Sequence, residues 1–336
     1  MRLIMLVVAL AACRQKHSLA QTQQNASCST TVQLIVNGTS SLDAVYSSLD
    51  DAKACGGVDK VSISVEWNGA VEINETIVVS NNVRLRVRGE GFLQDADAIS
   101  LSSNISSGGS GGGSDSTAAM SSVIRGNGNV GLFTVESDGE LYISGMALQN
   151  GWGGEPGGGG IYADQGSTVL SETCLWQSLS AAQAGGALTA IGAANITLRG
   201  TNIFSGCSSE KWSGGAIHLQ GTTLSAQGDI GFENCQASSE GGGLYMHSTS
   251  RLAVAEGSSI SFSNCMAGSE SGGYGGGLSS HNSKITVGAN ANMSFKDNFV
   301  LVKGDGGGLF ALGTSIDVSS GANISFVDNH AGDGGG

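Results

Sequence analysis

The sequence predicts an all-β chain coiled into a right-handed parallel β-helix, a solenoid with a short N-terminal capping helix. Three observations predict it: a recurring Gly-Gly-(Ala/Gly)-(Ile/Leu) step, a Phe-x-x-(Asn/Cys) step after most copies, and short strand-like runs between them. With Gly at 55 of 336 residues and one Pro, collagen is excluded, because no Gly-X-Y period accompanies the glycine. Disorder is excluded by the 40% of hydrophobic residues and the β-branched runs.

The first step recurs as Gly158-Gly159-Gly160-Ile161, Gly185-Gly186-Ala187-Leu188, Gly214-Gly215-Ala216-Ile217, Gly241-Gly242-Gly243-Leu244, Gly275-Gly276-Gly277-Leu278 and Gly306-Gly307-Gly308-Leu309. Its apolar residues are spaced by 27, 29, 27, 34 and 31. The second step gives Phe204 to Cys207, Phe232 to Cys235, Phe262 to Cys265, Phe295 to Asn298 and Phe326 to Asn329. A unit of this size, with no helical period, cannot bury its own apolar residues. Stacked coils about 4.8 Å apart let each Ile, Leu and Phe sit on its counterpart, and crossovers between parallel strands are right-handed. The glycine runs suit corners that require positive φ or close backbone approach. Leucine-rich repeats and β-propellers have other patterns or longer periods.

Residues 1–20 read as a signal peptide, with Leu3 to Ala12 as its apolar core and Ser18-Leu19-Ala20 before the cut. Leu10-Ala11-Ala12-Cys13 offers a lipoprotein cleavage box instead. No later run is long enough to span a membrane. In the region 21–60, Leu42, Val45, Tyr46, Leu49 and Ala52 have helical spacing, and a helix there would cover the open end of the first coil. A Cys28–Cys55 disulfide is a candidate pin for that cap. The β-helix is expected over 61–336, beginning with Val61 to Val65, Ile77 to Val79 and Val83 to Val87. Ser102 to Ser116 reads as an excursion loop, and Gly334-Gly335-Gly336 as the start of a further turn, so the chain is expected to be truncated there.

The formal net charge of −13 and pI near 4.6 repel nucleic acid and anionic membranes, and no basic cluster is evident. Nucleic-acid binding is therefore excluded, and an acidic polysaccharide is expected to need a bridging cation. Sequons at Asn25, Asn37, Asn74, Asn104, Asn195, Asn292 and Asn323 agree with an exported, glycosylated chain.

The paired Gly-Gly-Ala-Ile/Leu and Phe-x-x-Asn steps over about residues 130–336 resemble the repeats of the chlamydial-type polymorphic outer membrane proteins. That resemblance implies a β-helix displayed outside the cell with a role in adhesion. Two departures stand out: Cys207, Cys235 and Cys265 replace the usual Asn, and no C-terminal barrel translocator follows. The expected function is thus a secreted or surface-displayed, non-catalytic protein that binds a polysaccharide or cell-surface protein.

The alternative is a β-helix polysaccharide lyase, hydrolase or epimerase, which needs acidic residues on adjacent turns beside a basic group. The column two after each Phe reads Gly206, Asn234, Asn264, Asp297 and Asp328, making Asp297 and Asp328 the catalytic candidates, with Lys296 and His330 nearby. The same pair is where Ca²⁺ would be expected, if anywhere. The competing explanation is that Asn and Asp favour this turn. A second acidic column, Glu240, Tyr274, Asp305 and Asp333, reads as solvated corners. Cys207, Cys235 and Cys265 should stack within disulfide range, or serve as small buried apolar residues. Three thiols in line suit zinc poorly, and no metal site is expected. His218 and His247 stand one and three after their apolar residues and are expected to face different directions.

Overall fold

The computed structural model of the protein describes residues 31–38, 42–54, 60–89, 120–269, 272–301 and 303–332. The signal segment, Cys28, Cys55, Asn25, Asn104, the stretch 102–116, Asp333 and Gly334 to Gly336 lie outside the described residues.

The chain forms a parallel β-solenoid of about 9 turns with one short helix. Among the described residues its strands form a long sheet of 17, a second sheet of 8 and a third of 6, with a two-stranded pair at one corner. The glycine-step residues fall into register: Ile161 faces Leu188, and Ile217, Leu244, Leu278 and Leu309 follow on successive turns. The phenylalanines do the same, from Phe204 through Phe232, Phe262 and Phe295 to Phe326. Trp176 heads that column opposite Phe204, giving a ladder with ring centroids 4.7–5.0 Å apart. This separation matches the spacing between hydrogen-bonded strands, so register alone delivers the stacking.

The glycine step is sterically required. The first glycine of each triplet has positive φ, such as 64° at Gly241. The second lies against the next turn, where a Cβ on Gly215 would come 2.0 Å from the carbonyl oxygen of Gly242. No side chain fits there.

The helix spans Leu42–Ala54, and Leu42, Val45, Leu49 and Ala52 are buried in the same core as the first coils. Tyr46 donates its hydroxyl to the Glu75 carbonyl at 2.8 Å. A strand at Thr31–Asn37, before the helix, pairs residue for residue with Ser62 to Asn68. The sheet therefore extends ahead of the helix, into a segment that carries no repeat motif.

On the outer face of the early turns, Glu140 receives Lys60 Nζ and Arg84 Nε at 2.5 Å each, and the Tyr142 hydroxyl at 3.1 Å. Burial alone would raise its pKa, but the hydrogen bonds from Arg84, Lys60 and Tyr142 prevail and lower it to about 2.

Candidate functional site

Asp297 and Asp328 occupy neighbouring turns, with the Asp297 amide donating to the Val327 carbonyl at 3.0 Å. Both are left-handed, with φ of 54° and 52°, as are Gly206, Asn234 and Asn264 in the same column. Gly, Asn and Asp are the residues that tolerate this conformation, so the turn accounts for the column's composition. The Asp297 carboxylate is half exposed, with Lys296 Nζ 3.9 Å away. Among the described residues, no three or more His, Cys, Asp or Glu side chains gather where they could hold a metal ion.

Cys207, Cys235 and Cys265 stack as expected, fully buried, and each is a free thiol, as is Cys174. Their Sγ atoms approach the carbonyls of Trp176, Phe204 and Phe232, one turn back, at 3.6, 3.3 and 3.5 Å. Asn298 and Asn329 continue the column by donating Nδ2 to the carbonyls of Phe262 and Phe295, both at 2.9 Å. The thiols thus stand where side-chain amides stand later in the chain. Burial pushes the thiols of Cys207 and Cys265 up, as expected of inert core cysteines.

The second sheet presents a different surface. Ile217 and Leu219 point inward and are fully buried, so His218 and Gln220 lie on the opposite side of the strand, where Gln220 is exposed and His218 is covered by its neighbours. On the next turn Tyr245 lies beside His218 and His247 beside Gln220. His218 and His247 therefore share a face. The expectation that they diverge is corrected by the strand's period of two, which sends positions one and three the same way. Their rings are 5.3 Å apart, and Tyr245 lies 5.1 Å from His218 and 5.2 Å from His247. The chain of rings continues through His281 to Phe310 and the corner residue Tyr274 at 5.7, 5.4 and 4.6 Å. Six rings over four successive turns make one continuous surface.

Trp212 closes the early end of this surface. Its backbone is held by the Gln183 carbonyl and the Ser239 amide, both at 3.0 Å. Its side chain is 54% exposed. With Lys211, His218, Gln220, Tyr245 and His247 it lines a groove of about 320 Å³. Burial, then the neighbouring His247, lowers His218 to a pKa of about 4, so the ring is neutral at physiological pH. Burial and the Glu240 carboxylate raise the Tyr245 hydroxyl to about 12. His247 is lowered by burial and by His281, against the pull of Glu240.

Glu240, Ser279 and His281 invite comparison with a nucleophile–base–acid triad, and the geometry decides against it. Glu240 Oε2 lies 2.5 Å from His281 Nε2, and that same nitrogen is 3.2 Å from Ser279 Oγ. A triad uses opposite nitrogens of one imidazole, so that one accepts the nucleophile's proton while the carboxylate holds the other. Ser279 also donates directly to Glu240 at 2.9 Å and is fully buried. Glu240 and Ser279 instead hold the His281 ring in its place in the row.

No family model, no curated protein and no solved structure matches this chain.

Proposed function

We propose that the protein is a secreted or surface-displayed, non-catalytic binding protein whose ring-lined face holds a neutral glycan chain. The observation that carries this reading is Trp212, exposed at the edge of the groove formed with His218, Tyr245 and His247. Sugar rings have an apolar C–H face and a hydroxyl rim. The exposed Trp212 and half-buried Tyr245 supply flat apolar surfaces, and Gln220, Lys211 and His247 supply hydrogen-bonding groups at the edges. His218, Gln220 and Tyr245 project from paired strands, and the Trp212 backbone is hydrogen-bonded to the turns on both sides, so little conformational entropy is lost on binding. Display and adhesion are supported by the resemblance of the repeats to polymorphic outer membrane proteins. Export is supported by the N-terminal apolar segment and by sequons at Asn37, Asn74, Asn195, Asn292 and Asn323, all of them exposed.

The test is a glycan array read with the native chain and with Trp212→Ala, run beside a reducing-end assay on every glycan that binds. The expected result is binding without release of new ends, weakened at least tenfold by Trp212→Ala. Absence of binding to any glycan overturns the reading, as does turnover that disappears in Asp328→Asn.

A further inference from the structure

A second surface lies on the early turns of the long sheet. The strand Val83–Gly89 alternates strictly, burying Val83, Leu85 and Val87 and turning Arg84, Arg86 and Arg88 outward. Three of the chain's eight arginines thus share one face of one strand, with Cα atoms about 6.6 Å apart. The three are separated in sequence by apolar residues, and the strand's period of two gathers them.

The neighbouring turns decide which charges remain available. Arg84 and Lys60 are taken up by Glu140. The Arg86 guanidinium lies 5.4 Å over the Tyr142 ring. Arg86 and Arg88 are exposed, and neither forms an ion pair among the described residues. Glu66 stands opposite Arg88 across the ladder but stays beyond ion-pair distance. Ser64 and Tyr142 flank Arg86, and Ser144 flanks Arg88, adding hydroxyl groups to the row.

We infer that this row binds a linear polysaccharide bearing carboxylate or sulfate groups, at a site separate from the ring-lined groove and independent of its reading. Planar guanidinium groups match such anions with paired hydrogen bonds. The sheet surface is open among the described residues, and with hydroxyl groups beside the cations it suits a hydroxyl-rich chain lying along the strand better than a peptide whose side chains need pockets. The global charge of −13 does not forbid it, because charges beyond about 8 Å are largely screened at physiological salt.

The test uses the full chain on immobilised heparin and on immobilised polygalacturonate, eluted with a salt gradient, with a single-stranded DNA column alongside. The expected result is salt-sensitive retention on at least one polysaccharide, with affinity falling at least tenfold in Arg86→Ala/Arg88→Ala. Sulfate and carboxylate recognition are told apart by which column retains the chain, and Trp212→Ala should bind both as the native chain does. Arg86→Lys/Arg88→Lys, which keeps charge but loses the paired geometry, should fall between native and the alanine variant. Matching thermal melts for all variants would show that the fold is intact. No retention on either polysaccharide at 50 mM salt overturns the inference, as does retention unchanged by the alanine pair. Equal retention on DNA also overturns it, because that would be unselective ion exchange.

Discussion

The backbone amide of Cys265 donates to Oδ1 of Asn298 on the following turn at 3.0 Å. Asn298 then donates its own Nδ2 to the Phe262 carbonyl, so one side chain satisfies two main-chain groups. A thiol in that place is a weak donor and a weak acceptor, and serves both groups less well.

Replacing Cys265 by Asn should therefore extend the amide ladder by one turn. We expect a gain of about 0.5–1.5 kcal/mol, seen as a higher denaturant midpoint, whereas Cys265→Ala should lower the midpoint. A drop for both variants would mean that volume, not hydrogen bonding, governs the column. Thiol titration tests the redox state directly: the native chain should leave Cys174, Cys207, Cys235 and Cys265 unreactive, and unfolding without reductant should expose all four.

Phe262 stacks between Phe232 and Phe295 at 4.7 and 5.0 Å and is fully buried. Its replacement by Ala should destabilise the fold by about 3–5 kcal/mol. Phe262→Leu, which keeps most of the apolar burial but not the two ring pairs, should cost about 1–3 kcal/mol in the same unfolding experiment. No loss in the leucine variant would show that stacking is not what the column contributes.

The depressed pKa of His218 has a definite sign. The folded chain holds the ring neutral down to a pH of about 4, whereas an unfolded chain protonates it near 6.5. Between those values the unfolded state binds more protons, so stability is complete above pH 6.5 and falls as pH drops towards 4. The loss is about 3 kcal/mol over the window. Glu140 adds a second acid-side loss between about 4.5 and 2, where its carboxylate becomes protonated in the unfolded chain first. Urea midpoints measured from pH 7 to 4 should decline, and His218→Gln should flatten the decline. An unchanged slope would place the titrating group elsewhere.

Asn292 and Asn323 begin two sequons and face each other directly across adjacent turns. Their Cα atoms are therefore about 4.8 Å apart, too close for two branched glycans. Expressed in a glycosylating host, the chain should carry a glycan on one or the other, never on both. Intact-mass and glycopeptide analysis would decide, and a doubly modified molecule would refute the expectation.

The turns were legible in the sequence because their signals are covalently local. Gly241-Gly242-Gly243-Leu244 declares a corner and the inward residue after it, and Phe262 declares the next column. Both columns stand in the register that the repeats imply. Leu42, Val45, Leu49 and Ala52 likewise gave the helix. The strand at Thr31–Asn37 was not legible, since Gln33, Leu34 and Ile35 carry no repeat mark and the partner lies beyond the helix. The ring-lined face was hidden for another reason. His218, Tyr245, His281 and Phe310 come from four turns and share no motif, and only register combined with the two-residue period brings them together. Arg84, Arg86 and Arg88 could have been found by parity alone.

Because each coil touches only the coils beside it, the molecule is metrically a ruler. A duplicated coil would displace the later half by one graduation and leave every earlier contact intact. Inserted between His218 and Tyr245, such a coil would lengthen the ring-bearing face by about 4.8 Å. The reach of the surface could therefore change by whole steps, through copying a segment, without any new solution to the packing of the core.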